Sequence, residues 1–189
     1  MLAPVQTVSN AREIEAAFLA ARQRGNEGLM AKDPQSFYTP GRRGLAWLKL
    51  KKAYATLDVV VVAVEYGHGK RRDVLSDYTF AIRDTDSDRL LTVGKAYSGL
   101  TDVEIATLTQ HFLDHTVEDH GRYRTVIPDT VIEVAFDTIQ PSKRHQSGYA
   151  LRFPRIARLR PDKTLAEIDT LETCRRLAEA ASGFPSSKT

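Results

Sequence analysis

The apolar run VVVVAV at residues 59–64 constrains the fold more than any other stretch of this 189-residue chain. It is far too short to cross a bilayer, and its β-branched side chains favour extended backbone, so it predicts a buried strand. Such a strand needs neighbours in a sheet. The chain provides three consecutive predicted strands, LDVVVVAVEYG, DYTFAIRD and LLTVGKAYSG, with the turn DTDSD between the second and the third.

The order of elements after residue 57 predicts a small barrel. Thr101 and Glu104 form a capping box that opens a helix in TDVEIATLTQHFLDHTV. YRTVIP and VIEVAFDTIQ then resume strands, and ALRFPRIARLR closes the set as one basic strand. Three strands, a helix and two or three more strands in about 105 residues is the order of an OB-fold, a Greek-key barrel of about five strands. The predicted fold class is therefore α+β and mostly β.

The first 54 residues do not form a complete domain on their own. Asn10 and Glu13 are a second capping box, for a helix at 11–24 that stops at Gly25. The strands EGLMAK and LAWLKLKKAY follow, joined by a loop rich in Pro and Gly. One helix and two strands cannot enclose a core, so this segment has the pattern of the end of a larger domain.

The chain is accordingly divided into three parts. Residues 1–54 are the end of that larger domain, residues 55–165 are the OB-fold domain, and residues 166–189 are a C-terminal helix and tail. The helix is predicted at roughly 166–181, ending at Gly183.

Charge is distributed unevenly along the chain. Residues 1–54 hold nine Lys/Arg against four Asp/Glu, and residues 150–163 hold five against one. The stretch between them is acidic, with ten against fifteen. Two basic segments around an acidic middle indicate binding to a polyanion, although ordinary surface variation gives similar patterns. The single cysteine, Cys174, excludes an internal disulfide and fits a reducing cytoplasm, and the N-terminus lacks the pattern of a signal peptide.

Three motifs resemble those of ATP-dependent DNA ligases, which belong to the covalent nucleotidyltransferase superfamily. EGLMAK is similar to the family's fourth motif, WLKLKK to the fifth and RFPRIARLRPDK to the sixth, in the family's order. The loop YGHGKRR also resembles the family's Gly-x-Gly-Lys-Arg loop after the first OB strand. The resemblance covers about residues 10–180 and implies that residues 1–54 are the C-terminal remnant of an adenylation domain.

The resemblance implies roles for residues of the fourth and fifth motifs. Glu27 would help to hold a divalent metal, Mg²⁺ or Mn²⁺, for which a carboxylate oxygen is a suitable hard ligand. Lys49 and Lys51 would contact the phosphate that is transferred, and Met30 would pack against the adenine of ATP.

Strand geometry accounts for the spacing of the two lysines. Positions i and i+2 leave a strand on one face, so Lys49 and Lys51 point the same way while Leu48 and Leu50 face the core. Trp47 is likewise expected in the core rather than as a platform for a base.

In the sixth motif, Arg160, Asp162 and Lys163 form the R-x-D-K signature, which in the family orients the pyrophosphate of ATP. The implied substrate is nicked duplex DNA, sealed through lysyl-AMP and DNA-adenylate intermediates. Alternating arginines are also common on exposed strands, so a purely structural role stays open for those that precede Arg160. The candidate DNA contacts are Lys70, Arg71 and Arg72 in the loop and Arg152, Arg155 and Arg158 on the basic strand.

The chain departs from the family in lacking the K-x-D-G string that carries the nucleophilic lysine, and the third motif. We therefore expect that the chain alone does not adenylate itself. It would act as part of a full ligase, or with a separate polypeptide that supplies the missing motifs. The alternatives are a non-catalytic OB-fold nucleic-acid-binding protein with relic motifs and a fragment of an mRNA capping enzyme. The segment TLAEIDTLETCRRL resembles the ending of bacterial ligases, which favours a bacterial, cytoplasmic protein without a membrane partner.

A zinc site is a weaker hypothesis. His111 and His115 stand at i and i+4 on the predicted helix, with His120 beyond. No cysteine or fourth ligand is evident from the sequence, and the position is predicted to be a solvated helix face.

Overall fold

The computed structural model describes residues 4–24, 26–41, 44–51 and 55–182, with residues 51, 181 and 182 described for their backbone only. The chain divides into two compact units, residues 1–53 and residues 54–189. The predicted helix ends at Gly25 and Gly183, and the tail after it, lie outside the described residues. Within the described ranges, no helix has the length and apolar character needed to span a membrane.

The first unit contains one helix and one hairpin, α1 (Ala11–Gln23), β1 (Gly28–Lys32) and β2 (Trp47–Lys51). The Asn10 side chain accepts a hydrogen bond from the Glu13 amide at 3.0 Å, as the predicted capping box requires. The Glu13 carboxylate completes the cap on the Ser9 amide at 2.8 Å rather than on that of Asn10. Ala21 alone is buried among the described residues of this unit, so the unit has no core of its own.

The second unit carries eleven further elements. They are β3 (Ala55–Tyr66), β4 (Leu75–Asp84), β5 (Arg89–Ala96), α2 (Asp102–Asp114), β6 (Thr116–His120), β7 (Tyr123–Val126), β8 (Val131–Phe136), β9 (Thr138–Pro141), β10 (Tyr149–Arg152), β11 (Arg155–Leu159) and α3 (Leu171–Ser182). Single 3₁₀ turns lie at Gly69–Arg71 and Leu165–Glu167.

The sheet of the second unit is antiparallel and curls around β3. Its main order is β11-β8-β3-β4-β5, while β9 and β10 form a separate hairpin. The first half of β3 pairs with β8, and residues 63–65 in its second half pair with β7 instead. A strand that changes partner along its length bends the sheet towards closure, and this curled antiparallel sheet confirms the predicted OB-fold.

The valine run forms a buried strand, as predicted, and the structure covers both of its faces. Val59, Val61 and Val64 belong to the main core, which α2 covers through Phe112. Val60 faces the other way, into a smaller cluster that includes Ile168. The segment before α3 therefore covers the second face of β3.

The structure corrects the predicted end of α2 and the predicted continuity of the basic strand. α2 stops at Asp114 and not near residue 117, because Thr116 begins β6, a strand that the sequence analysis missed. The predicted basic strand is two strands, broken at Phe153, whose φ is +50°, and at Pro154, which has no N–H to donate. β10 pairs with β9, whereas β11 pairs with β8.

The C-terminal helix α3 begins at Leu171 and not at residue 166. Thr164 and Glu167 form a capping box around a single 3₁₀ turn, which occupies the residues predicted to begin the helix. The chain then runs extended, and the Asp169 amide donates to the Asp58 carbonyl of β3 at 2.8 Å. The Thr173 amide donates to the Thr170 hydroxyl at 3.3 Å and so caps the new start.

We expect Gly99→Ala to lower the free energy of unfolding by about 3 kcal/mol or more, measured by urea denaturation. Gly99 has a φ of +116°, and a Cβ there would lie 1.8 Å from the carbonyl oxygen of Ile156 in β11. Gly121→Ala is the matched control, because its φ of +80° is also unfavourable but nothing lies within 4 Å. That control should lose about 1 kcal/mol. Equal losses in the two variants would contradict the close approach to β11.

Candidate functional site

The hairpin of the first unit brings together residues of the fourth and fifth motifs. Met30 on β1 lies directly opposite Lys49 on β2, so their side chains share one face of the hairpin. The ammonium of Lys49 is 3.6 Å from a carboxylate oxygen of Glu27, the residue just before β1. Both charged side chains are exposed, at 57% and 71%, and Met30 is 48% exposed. A cation, a carboxylate and an apolar surface are thus available to one ligand.

Lys51 lies opposite Gly28 in the hairpin register, two positions from Lys49 on the same strand. The strand on which both lysines were predicted is therefore present. The Lys51 side chain lies outside the described part of the chain, so its role stays a prediction.

The expectation that Leu48 and Trp47 lie in a core is wrong. Leu48 is 50% exposed and Trp47 is 40% exposed. The Lys32 ammonium sits 4.1 Å from the centre of the Trp47 ring, and the Tyr38 ring lies 5.6 Å away. A unit with one helix and one hairpin has too little surface to enclose them, which is the physical reason for the difference.

Glu27 has the chemistry that Mg²⁺ requires. Mg²⁺ is held in proteins by one or two carboxylates and keeps water and substrate phosphate as its other ligands. An exposed carboxylate on the rim of a rigid hairpin fits that donor set. The adjacent Lys49 ammonium adds a second group that attracts phosphate.

The sixth motif is built around a carboxylate that the sequence analysis missed, Asp58 on β3. Arg160 donates to both oxygens of Asp58, at 2.8 and 2.9 Å. Lys163 donates to one of the same oxygens at 2.6 Å. The side chain of Arg160 is only 12% exposed, that of Asp58 13% and that of Lys163 28%. One carboxylate therefore holds both cations of the R-x-D-K signature.

Asp162 occupies the other edge of the Arg160 guanidinium. It accepts from Nε at 2.9 Å and from Nη2 at 2.8 Å, and these bonds lower the pKa of Asp162 to about 2. The same bonds, with the charge of Asp58, raise the pKa of Arg160 further. Arg160 therefore stays charged and fixed in orientation between two carboxylates.

The backbone also fixes the cluster. The Arg160 amide donates to the Val131 carbonyl at 2.9 Å, and the Lys163 amide donates to the Arg160 carbonyl at 3.1 Å, which closes a turn. Asp169 accepts from the Asp58 amide at 2.8 Å, and burial raises the pKa of its carboxyl. The only sequence signal for Asp58 is that an acidic residue stands next to the apolar run. Asp58 lies 102 positions from Arg160, so the sequence does not indicate that the two residues pair.

The loop predicted to contact DNA contains one anchor and two exposed cations. Arg71 donates to Asp102 at 3.0 Å and to the Tyr97 carbonyl at 3.4 Å, and so ties the loop to the start of α2. Lys70 is exposed, and Arg72 is 79% exposed beside Asp73. Lys70 and Arg72 are therefore the two side chains of this loop that are open to a phosphate.

The three arginines of the predicted basic strand are separated. Arg152 ends β10 with its guanidinium over the Phe153 ring, whereas Arg155 and Arg158 belong to β11. Arg155 pairs with position 135 of β8 and Arg158 with position 133, because a bulge adds one residue to β11 between them. The bulge therefore puts Arg155 and Arg158 on the same face of the sheet. Arg158 bonds to Glu133 and lowers the pKa of that carboxyl.

Comparison with known proteins agrees with this arrangement of motifs. Residues 1–51 match the family profile described as "ATP dependent DNA ligase domain", and residues 71–163 match "ATP dependent DNA ligase C terminal region". A probable DNA ligase of Opitutus terrae is 84% identical over 181 residues, which are 95% of this chain and 18% of that protein. A probable DNA ligase of Koribacter versatilis is 58% identical over 170 residues, 90% of this chain and 29% of that protein.

A solved structure shows the same relationship. The ligase domain of LigD from M. tuberculosis is 26% identical, with a TM-score of 0.53 over 80% of this chain and 50% of that one. The chain thus spans a fifth to a third of the length of the two curated relatives named above. The two profile matches cover both units in the order that the motifs predicted. This chain belongs to the ATP-dependent DNA ligase family.

Proposed function

We propose that this chain supplies the fourth, fifth and sixth motifs of an ATP-dependent DNA ligase that seals nicks in duplex DNA. The observation that carries the proposal is the convergence of Arg160 and Lys163 on the two oxygens of Asp58, at 2.6 to 2.9 Å. Two fixed cations around a pair of anionic oxygens is the arrangement that a phosphate group needs. The chain carries this charge in the second unit and also Glu27 and Lys49 in the first, and the combination favours a phosphoryl-transfer role over non-specific DNA binding.

Transfer at phosphorus depends mainly on positioning and on neutralising charge. When bound, ATP with Mg²⁺ supplies the activated adenylate group. Glu27 would hold the metal, and Lys49 would place its ammonium against the phosphate that moves, from the rigid support of β2. Lys51 would do the same from the next outward position, and Met30 would pack against the adenine.

Arg160 and Lys163 would orient the pyrophosphate that leaves when the enzyme is adenylated. For that step Asp58 would release its two partners, and Arg160 and Lys163 would then hold the oxygens of the pyrophosphate in place of its carboxylate. Asp162 would stay hydrogen-bonded to the other edge of the Arg160 guanidinium. These bonds would keep the plane of the guanidinium fixed while it faces the ligand.

The nucleophilic lysine of this chemistry is not among the 189 residues, which contain no K-x-D-G string. Adenylation therefore needs a segment that carries the first motif, in the same protein or in a separate polypeptide. The relatives named above are DNA ligases, which gives no support to the mRNA capping-enzyme alternative. The non-catalytic DNA-binding alternative is favoured by one observation, the exposed cations on the Lys70–Arg72 loop and on one face of β11.

Duplex DNA binding by the isolated chain should be weak and should fall steeply with salt, since Lys and Arg contacts to phosphate release counterions. The double variant Lys70→Glu, Arg72→Glu should weaken binding equally for all DNA sequences. It should also reduce the slope of log affinity against log salt by about 2. Fluorescence anisotropy over a salt series measures both quantities. Arg71 is left unchanged because its ion pair with Asp102 holds the loop.

The matched control for this variant is Lys143→Glu, Arg144→Glu, which makes the same change in charge in the exposed turn between β9 and β10. It should leave the affinity and the slope close to those of the unaltered chain. An unchanged affinity in the loop variant, or equal losses in both double variants, would show that the loop does not contact DNA.

Ligation is best tested in the Opitutus terrae relative, with its matching 181-residue segment replaced by this chain. The chimera should seal nicks, while this chain alone should form no labelled adduct with radioactive ATP.

Arg160→Ala and Lys163→Ala should slow self-adenylation about 100-fold but slow the sealing of a pre-adenylated nick far less. Lys49→Ala should slow both steps by about 100-fold. Added Mg²⁺ should recover part of the loss in Glu27→Ala.

Lys143→Ala serves as the control substitution in the same chimera and should leave both rates unchanged. Full activity in all four motif variants would mean that the motifs are relics, and the DNA-binding alternative would replace the proposal. Equal damage to both steps by Arg160→Ala would contradict the assignment of the sixth motif to pyrophosphate.

A further inference from the structure

A cluster of two histidines and one aspartate lies in the second unit, at the C-terminal end of α2. His111 is in the last turn of the helix, His115 is its C-cap, and Asp129 lies in the turn between β7 and β8. Their possible ligand atoms all lie within 4.8 Å of one another. The sequence offered His120 as a possible third ligand, whereas the fold brings Asp129 to the two histidines, from 14 positions beyond His115.

The distances in this cluster suit a metal of the zinc class. His111 Nε2 is 3.0 Å from one oxygen of Asp129, and His115 Nε2 is 3.6 Å from the other. Bonds of about 2.0–2.1 Å at tetrahedral angles place neighbouring ligand atoms about 3.3 Å apart. Both observed separations are close to that value, so an ion could enter with small movements of the side chains.

The tautomer of His115 leaves a nitrogen available to a cation. Its Nδ1 is 2.8 Å from the carbonyl oxygen of His111, which can only accept, so Nδ1 carries the hydrogen. In the neutral ring, Nε2 then directs a lone pair towards the Asp129 carboxylate. Two lone pairs that face each other repel unless a cation, either a proton or a metal ion, lies between them. Histidines that bind metals commonly donate their other ring N–H to a carbonyl in this way.

The stacking of the two imidazole rings points to one shared cation. Their centroids are 4.1 Å apart and their planes differ by 23°. A proton on each ring would place two positive charges in contact. A single divalent ion would satisfy both Nε2 atoms and the carboxylate together.

The backbone around the cluster is already fixed. The Ile127 amide donates to the His115 carbonyl at 2.9 Å, and the Asp129 amide donates to the Ile127 carbonyl at 2.9 Å. Thr130 donates through its hydroxyl to Asp129 at 2.9 Å, and its carbonyl accepts from the Val61 amide of β3 at 3.0 Å. Prior positioning of this kind lowers the cost of assembling a metal site.

We propose that His111, His115 and Asp129 bind one divalent transition-metal ion of the zinc class, which ties the end of α2 to the β7–β8 turn. Two imidazoles and a carboxylate favour Zn²⁺ or Co²⁺ over Mg²⁺, which prefers oxygen ligands throughout. Each of the three side chains is about one-third exposed, so water can complete the coordination. The three residues belong to the second unit, whereas Glu27, the proposed Mg²⁺ ligand, belongs to the first.

The test uses the full chain without an affinity tag, after treatment with EDTA and dialysis. Titration calorimetry with Zn²⁺ should give one site per chain, with a dissociation constant of about 1 μM or lower. Co²⁺ should give the visible absorption of a tetrahedral site at the same stoichiometry. The melting temperature should rise with free Zn²⁺, since the ion binds the folded chain, and this rise should be lost in His115→Gln. Cys174 is buried, and burial raises the pKa of its thiol to about 11, so it does not compete for the metal.

His115→Gln and Asp129→Asn should each weaken Zn²⁺ binding by about 100-fold or more. His115→Gln leaves the bonds of Asp129 to His111 and Thr130 in place, and circular dichroism without metal confirms that each variant is folded. His120→Gln is the matched control, because His120 is 54% exposed and pairs with Glu118 outside the cluster. It should keep the full affinity. Absence of 1:1 binding by the unaltered chain at about 100 μM Zn²⁺, or unchanged affinity in His115→Gln, would overturn the proposal and leave a His–Asp hydrogen bond only.

Discussion

The Asp58 carboxylate is the interaction on which the second unit depends. It lies on the central strand β3, is 13% exposed, and binds both Arg160 and Lys163. The backbone of the same residue exchanges two hydrogen bonds with Asp169, each of 2.8 Å. A carboxylate that is taken out of water is costly unless cations and donors surround it. Asp58 therefore holds both the sixth motif and the segment before α3 in place.

This arrangement makes the same residues serve the fold and the proposed chemistry. While Asp58 holds Arg160 and Lys163, the two cations are positioned but their charge is neutralised. In the proposed chemistry a phosphate would replace the carboxylate, so the exchange would be between two oxyanions. The resting contact thus keeps a pair of mostly buried cations stable in the absence of nucleotide.

The pair in the first unit behaves differently because of its exposure. Glu27 and Lys49 are 3.6 Å apart and are both more than half exposed. An exposed pair of this kind contributes typically below about 1 kcal/mol, because water screens both charges. Lys49 is therefore easily released to a ligand, whereas Arg160 and Lys163 are held.

The sequence predicts those elements whose signal is local. The valine run predicts β3, and the capping box of Thr101 and Glu104 predicts the start of α2, since burial and capping depend on neighbouring residues. β6 was missed because four of its five residues are exposed, so no apolar pattern marks it. The break at Phe153 depends on a positive φ that the residue type does not indicate.

The site was predictable only in part for the same reason. The roles of Glu27, Lys49 and the R-x-D-K signature came from motif resemblance, which names residues but not their partners. The fold brings Asp58 and Asp129 to their clusters from positions that are distant in the sequence. The exposure of Trp47 and Leu48 depends on how much surface surrounds the hairpin, which alternation along a strand does not specify.

A double-mutant cycle between Asp58→Asn and Lys163→Met, followed by urea denaturation, tests most directly whether Asp58 holds the sixth motif. Met keeps the apolar stem of Lys163, so the cycle isolates the charge. We predict that the unfolding constant of the double variant differs from the additive value by about tenfold or more, and that the exposed pair Glu172 and Arg175 gives a much smaller difference. Additive effects of Asp58→Asn and Lys163→Met would contradict the account.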